Sequence, residues 1–184
     1  KLSVSEWGTG KLKEILSSGS EPHLMTGEQY KESLRDGRRI IDSNGEEIKD
    51  IPTHPHLKRS VDTIAETFDA QFDSKTRDIT TYTDSPTGPR YGTGWQVPTE
   101  KEHLLRRRET LRLSTMKTLG VFGRPPDYGS TWAMGFLSIT DKIEKDSNPL
   151  YAENIRNFVK LSRKHNVISA DVGRYISWGS PLTY

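Results

Sequence analysis

At 184 residues the chain is long enough for one ordinary domain with its own core. Lys and Arg number 27 against 25 Asp and Glu, and a net charge of +2 argues against nucleic acid or an anionic membrane surface as a charge-selected partner. There is no cysteine, which excludes disulfide frameworks, thiolate nucleophiles and cysteine-based zinc sites together and suits a reducing, cytoplasmic compartment. No apolar run approaches the roughly 18 residues of a membrane span, and the opening KLSVSEWGTG lacks the apolar centre of a signal peptide. The chain opens on Lys1 rather than methionine and is expected to be part of a longer product. A mean hydropathy of -0.75 leaves room for a partner surface that the chain does not itself supply.

Residues 1–24 are rich in Gly and Ser, with one short helical candidate in KLKEILSS, and are expected to form a flexible arm. Thr26 with Gln29 reads as a capping box opening a helix that stops at Gly37. RRIIDSNGEEIKD predicts a short hairpin, with Asn44-Gly45 in the type I′ turn that matches strand twist. Pro55 then stands where a first helical residue should be, and Leu57, Val61, Ile64, Ala65, Phe68 and Phe72 form one apolar stripe. Residues 73–98 read as a long loop with a strand around Ile79 to Thr83.

Thr99 with Glu102 predicts a second capping box, on a helix carrying Leu104, Leu105, Leu111, Met116 and Leu119 and ending at Gly120. Asp127 can cap a helix through GSTWAMGFLSITDKI, and Asn148-Pro149 starts another through LYAENIRNFVKLSRK. The last dozen residues lose all periodicity, and no internal repeat is present. The fold class expected is mainly α with a small β-hairpin.

Several motifs have plain readings. The arginines of LLRRRETLR are expected to form a solvated helix face, with Glu102 four residues before Arg106 in the favourable order. His54 and His56 flank a proline at a helix entry and lack further ligands at metal spacing, so no metal is expected. Ser114 and Lys117 match a Ser-x-x-Lys pattern by chance, because its partner motifs are missing. The stretch GVFGRPPDY is different. Its proline pair pushes Arg124 into extended geometry and holds it at a set separation from Tyr128. That is either punctuation between helices or a preorganised clamp, in which a guanidinium and a phenol near a helix start face an anionic oxygen.

The stretches MTGEQYKESLRDGRRI, IKDIPTHPHL, EKEHLLRRRETL, GVFGRPPDY and NIRNFVKLSRK together resemble the 4-hydroxyphenylacetate 3-monooxygenase family, the oxygenase components of two-component flavin hydroxylases. The resemblance implies the N-terminal helical domain of an acyl-CoA-dehydrogenase-like fold over residues 25–172, and it leaves 173–184 as an unmatched tail expected to mark a truncation. It implies reduced FAD supplied by a separate flavin reductase, O2 captured as a flavin hydroperoxide, and hydroxylation of a phenol in a homotetramer. By itself the 184-residue chain is expected to be inactive and to hold no flavin tightly. Arg124 and Tyr128 fall on the family's contacts to the phenolic oxygen, where positive charge favours the more nucleophilic phenolate.

The family's hydroxylases carry a histidine as a third contact. A gap-free count from Asn154, Arg156 and Asn157 puts Asp171 there, with His165 six positions earlier. An aspartate would repel a phenolate and accept from a neutral phenol or an amine, so phenolic or amino-aromatic substrates are both expected. The alternatives are a 4-hydroxybutyryl-CoA dehydratase-like relative, whose iron–sulfur cluster the cysteine-free sequence does not support, and a non-catalytic helical binding module.

Overall fold

A computed structural model describes residues 24–120 and 127–168, the side chains of Asp127 and Tyr128 excepted. The predicted arm, the tail and most of GVFGRPPDY lie outside the described residues. Among those residues there are seven α-helices, one antiparallel strand pair and a single 3-10 turn.

Helix α1 (Gly27–Ser33) opens with the expected capping box. The Thr26 hydroxyl accepts from the Gln29 amide at 3.2 Å, and the Gln29 side chain accepts from the Thr26 amide at 2.9 Å. The helix ends at Ser33, before Gly37, which lies in the left-handed region at φ 81°. Helix α2 (Lys58–Asp69) buries Val61, Ala65 and Phe68 as the stripe predicts, while Phe72 falls beyond its end and stays 48% exposed. Pro55 is not its first residue. The His54 carbonyl takes the amides of Leu57 and Lys58 in a preceding turn, and the helix begins three residues later. α1 docks on α2 through Tyr30 stacked on Phe68 at 5.0 Å, and through the Gly27 amide, which donates to Asp69 at 2.7 Å.

The predicted hairpin is reduced to one bridge, Ile41 to Glu47, and its turn is not type I′. Only Gly45 has positive φ, because the Asp42 carboxylate takes the amides of Asn44 and Glu46 and closes a wider loop. Ile48 and Ile51 then turn inward to join Val61 in the first core cluster.

The long loop expected over 73–98 is largely ordered. It contains α3 (Arg77–Thr80), β1 (Thr81–Thr83), β2 (Arg90–Gly92) and the 3-10 turn Thr93–Trp95. Threonine hydroxyls replace an apolar core here: Thr76 and Thr80 donate to the Ala70 carbonyl, Thr81 to Arg77 and Thr93 to Ile79. β1 and β2 pair with Tyr82 opposite Tyr91.

Helix α4 (Lys101–Lys117) corrects two expectations. The Thr99–Glu102 capping box does not form, and the Thr99 amide donates instead to His103 Nδ1 at 3.3 Å. Its first leucines do not seek this core. Leu104 and Leu105 stay exposed, while Arg107, Thr110 and Ser114 face inward. The single helix expected after Asp127 breaks at Ile139 into α5 (Asp127–Ser138) and α6 (Thr140–Asp146). α7 (Pro149–Lys164) starts as predicted, with Asn148 capping the Leu150 amide and Pro149 at the first position. α5 packs on α7, and Trp95, Ala133, Met134 and Val159 form the second core cluster.

Candidate functional site

Arg124 and Asp171 lie outside the described residues. Tyr128 lies in the first turn of α5, and only its backbone is described. The structure does bring their sequence neighbours together. Ser130, two residues after Tyr128, and Ile168, three before Asp171, line one cavity of about 180 Å³ with Phe68, Trp95 and Leu113.

Each end of that arrangement is held by long-range polar contacts. Arg107 reaches from α4 and directs one guanidinium nitrogen at the Gly94 carbonyl (3.0 Å), the Ser130 hydroxyl (3.0 Å) and the Thr131 hydroxyl (3.3 Å). It ties the start of α5 to the 3-10 turn. Arg107 therefore does not belong to a solvated face. At the other end, α7 closes in a Schellman motif. The Val167 amide donates to the Ser162 carbonyl, and Asn166 takes the left-handed position at φ 50°. Asn166 also pairs amide to amide with Gln71, and the Trp95 indole donates to the Val167 carbonyl at 3.1 Å.

The cavity is less polar than its residue types suggest. Thr76 and Thr80 both donate to Ala70, Thr110 donates to Ile79 and Ser114 to Thr110, so these hydroxyl hydrogens are committed to the backbone. An enclosed space of this kind accepts an apolar ring more readily than an ion.

Beside it, Tyr82 is buried, and its hydroxyl donates to the Trp95 carbonyl at 3.1 Å. Burial pushes its phenol up to about 12, partly opposed by the Arg163 guanidinium. Arg163 lies 3.9 Å over the Tyr91 ring and pairs with Asp84.

Of the remaining sequence motifs, His54 and His56 stay apart from this site, whereas Ser114 and Lys117 lie on the wall of the cavity. His54 and His56 lie 5.5 Å apart at the entry to α2, and among the described residues no group of three or more His, Cys, Asp or Glu could hold a metal. Ser114 is buried, and Lys117 faces Glu66 across 3.9 Å. No described helix is long and apolar enough to cross a membrane.

Residues 26–172 match the family model described as 4-hydroxyphenylacetate 3-hydroxylase N terminal. The chain belongs to that family. It is 32% identical over 142 residues to the 4-hydroxyphenylacetate 3-monooxygenase oxygenase component of Thermus thermophilus, a match covering 77% of this chain and 28% of the relative. It is 38% identical over 104 residues to the oxygenase component of the Rhodococcus opacus 4-nitrophenol 4-monooxygenase/4-nitrocatechol 2-monooxygenase, covering 56% of this chain and 19% of that one.

Among solved structures it superposes on the oxygenase component of 4-hydroxyphenylacetate 3-monooxygenase complexed with FAD and 4-hydroxyphenylacetate, with TM-score 0.66 and 33% identity over 75% of this chain and 28% of that one. An oxygen-tolerant archaeal 4-hydroxybutyryl-CoA dehydratase from N. maritimus shares the fold, with TM-score 0.68 at 23% identity over 79% of this chain and 28% of that one. The architecture is the N-terminal helical domain of the acyl-CoA-dehydrogenase-like fold, as the sequence motifs imply. The chain spans little more than a quarter of the 4-hydroxyphenylacetate 3-monooxygenase relatives it matches.

Sequence reasoning missed the roles of Arg107, Gln71 and Asn166. A polar stripe of Arg107, Thr110 and Ser114 at helical spacing was the one available signal, since it runs along one face of α4. Nothing local marks Gln71 and Asn166 as partners, because they are 95 residues apart.

Proposed function

We propose that the chain is the N-terminal, substrate-side domain of a two-component FADH2-dependent aromatic monooxygenase, acting on a phenol or an amino-aromatic. One observation carries the reading: the start of α5, where GRPPDY ends, and the exit from α7, which leads to Asp171, converge on one cavity of ring-accepting character. Reduced FAD, delivered by a separate reductase, would supply with O2 the electrophilic oxygen. The aromatic cleft of α5 and α7 is not expected to hold a flavin by itself. The cleft formed by Trp132, Phe136, Asn154, Ile155 and Phe158, about 320 Å³, has no cation on its walls for a pyrophosphate, and Trp132 stays 53% exposed.

This chain's own residues would bind the ring and set its protonation. The Arg124 guanidinium and the Tyr128 phenol donate to the ring oxygen and lower the cost of ionising it, which makes the adjacent ring carbon more nucleophilic. The proline pair limits how far that clamp can relax. An Asp171 carboxylate at the same substituent favours a group that keeps a proton to donate, a neutral hydroxyl or an amine. Assembly as a homotetramer and a cytoplasmic location belong to the same reading.

The test is made on the full-length enzyme supplied with reduced FAD. Arg124→Lys keeps the charge but loses the planar fork, and turnover should fall on the order of 10²-fold, as for loss of one oxyanion donor. A lysine variant working at the wild-type rate would return GRPPDY to the status of punctuation. In the same assay Asp171→His should shift preference from amino-aromatic towards phenolic rings.

A further inference from the structure

The exit from α7 is held more firmly than a helix end requires. A Schellman motif with Asn in the left-handed position satisfies the last carbonyls by itself, yet three further contacts converge on Asn166 and Val167. Asn166, only 4% exposed, donates through Nδ2 to Gln71 Oε1 at 2.6 Å, and Gln71 Nε2 returns a longer bond to Asn166 Oδ1 at 3.4 Å. Gly92 leaves room for the pair: a Cβ there would stand 2.6 Å from Asn166 Oδ1 and 3.0 Å from Gln71 Nε2. Trp95 takes the carbonyl of the next residue, Val167. These contacts come from the segment after α2, from β2 and from the 3-10 turn, so they fix the exit of α7 relative to the cavity and not merely to its own helix.

We propose that Gln71 is a positioning residue for the substrate site. It acts through Asn166 to hold Val167 and Ile168, which line the cavity. The proposal rests on the functional reading given above. A misplacement of about 1 Å by such a residue can cost on the order of 10²-fold in rate, and a shifted wall of the cavity should respond first through KM.

Two measurements test it. In the 184-residue chain, Gln71→Leu keeps the size but removes both amide bonds. Amide hydrogen exchange at Val167 and Ile168 should accelerate at least tenfold, with Val61 and Ala65 of α2 unchanged. In the full-length enzyme the same variant should raise KM for the aromatic substrate about tenfold, with a smaller effect on kcat. Gln71→Glu keeps an acceptor for Asn166 Nδ2 and should recover most of the loss.

Unchanged exchange overturns the proposal, and so does faster exchange with wild-type KM, which would make Gln71 purely structural. An active wild type matched by an equally active Gln71→Leu sinks the proposal alone. A wild type that hydroxylates no phenol or amino-aromatic sinks the functional reading, and the proposal with it.

Discussion

Leu119 is the most strained side-chain-bearing residue described. It holds φ 50° and is 93% exposed, directly before GVFGRPPDY. The position is the left-handed one of a Schellman motif, since the Gly120 amide donates to the Thr115 carbonyl and the Leu119 amide to Met116. A β-carbon there costs roughly 1–2 kcal/mol, and the exposed leucine returns little by burial. Leu119→Gly should therefore stabilise the domain by about 1 kcal/mol after the extra unfolded-state entropy of glycine. Thermal denaturation checks this, and an unchanged or lower Tm would show that the leucine is held by contacts that outweigh its strain.

Tyr82 gives a second test at the same scale. Its phenol is raised by burial to about 12, so the folded state keeps a proton that the unfolded chain releases near 10. That contribution to stability is whole below pH 10 and is lost as pH rises towards 12. Tyr82→Phe should flatten the alkaline limb of stability against pH, measured by denaturant midpoints. At this scale the sequence was legible where chemistry is local. The Thr26 capping box and the Asn148-Pro149 start needed only three or four neighbouring residues. Thr99 failed because His103, one turn on, offered its amide a competing acceptor.

Between elements, α1 approaches α2 closely. A Cβ on Gly27 would lie 2.7 Å from the Ala65 carbonyl oxygen and 2.6 Å from Asp69 Oδ2. The first contact is backbone and cannot swing aside. Gly27→Ala should therefore cost about 2 kcal/mol, within the usual range for overpacking, and should part α1 from α2, seen as a loss of the Tyr30–Phe68 ring contact by NMR. A variant as stable as wild type would mean that the two helices slide freely. Hydrophobic periodicity found α2 because its apolar stripe faces this core. It misassigned the inward face of α4, where Arg107, Thr110 and Ser114 make their hydrogen bonds, because periodicity gives a face but not what that face meets. The 73–98 segment misled for a related reason. Threonine-to-carbonyl bonds order it, and those leave no hydrophobic pattern to read.

Over the whole molecule, apolar side chains remain outside both cores. Leu104, Leu105 and Met116 on α4, Trp132 and Phe136 on α5, and Phe158 on α7 are all exposed. Such faces mark surfaces that another body covers, and the Thermus thermophilus relative is more than twice the length of this chain. A flavin site needs its ring enclosed and its phosphates paired. Here the aromatic cleft of α5 and α7 presents one wall without a cation, and the ring-sized cavity of about 180 Å³ is too small for a dinucleotide. Desolvation by one wall releases only part of the free energy of burial while the ordering cost of the ligand stays whole. The 184-residue chain should therefore bind FAD no tighter than millimolar, roughly -4 kcal/mol. Calorimetry with oxidised and reduced FAD checks this. Micromolar binding by this chain would mean that the α5–α7 face closes a flavin site unaided, and the one-walled argument would fall with it.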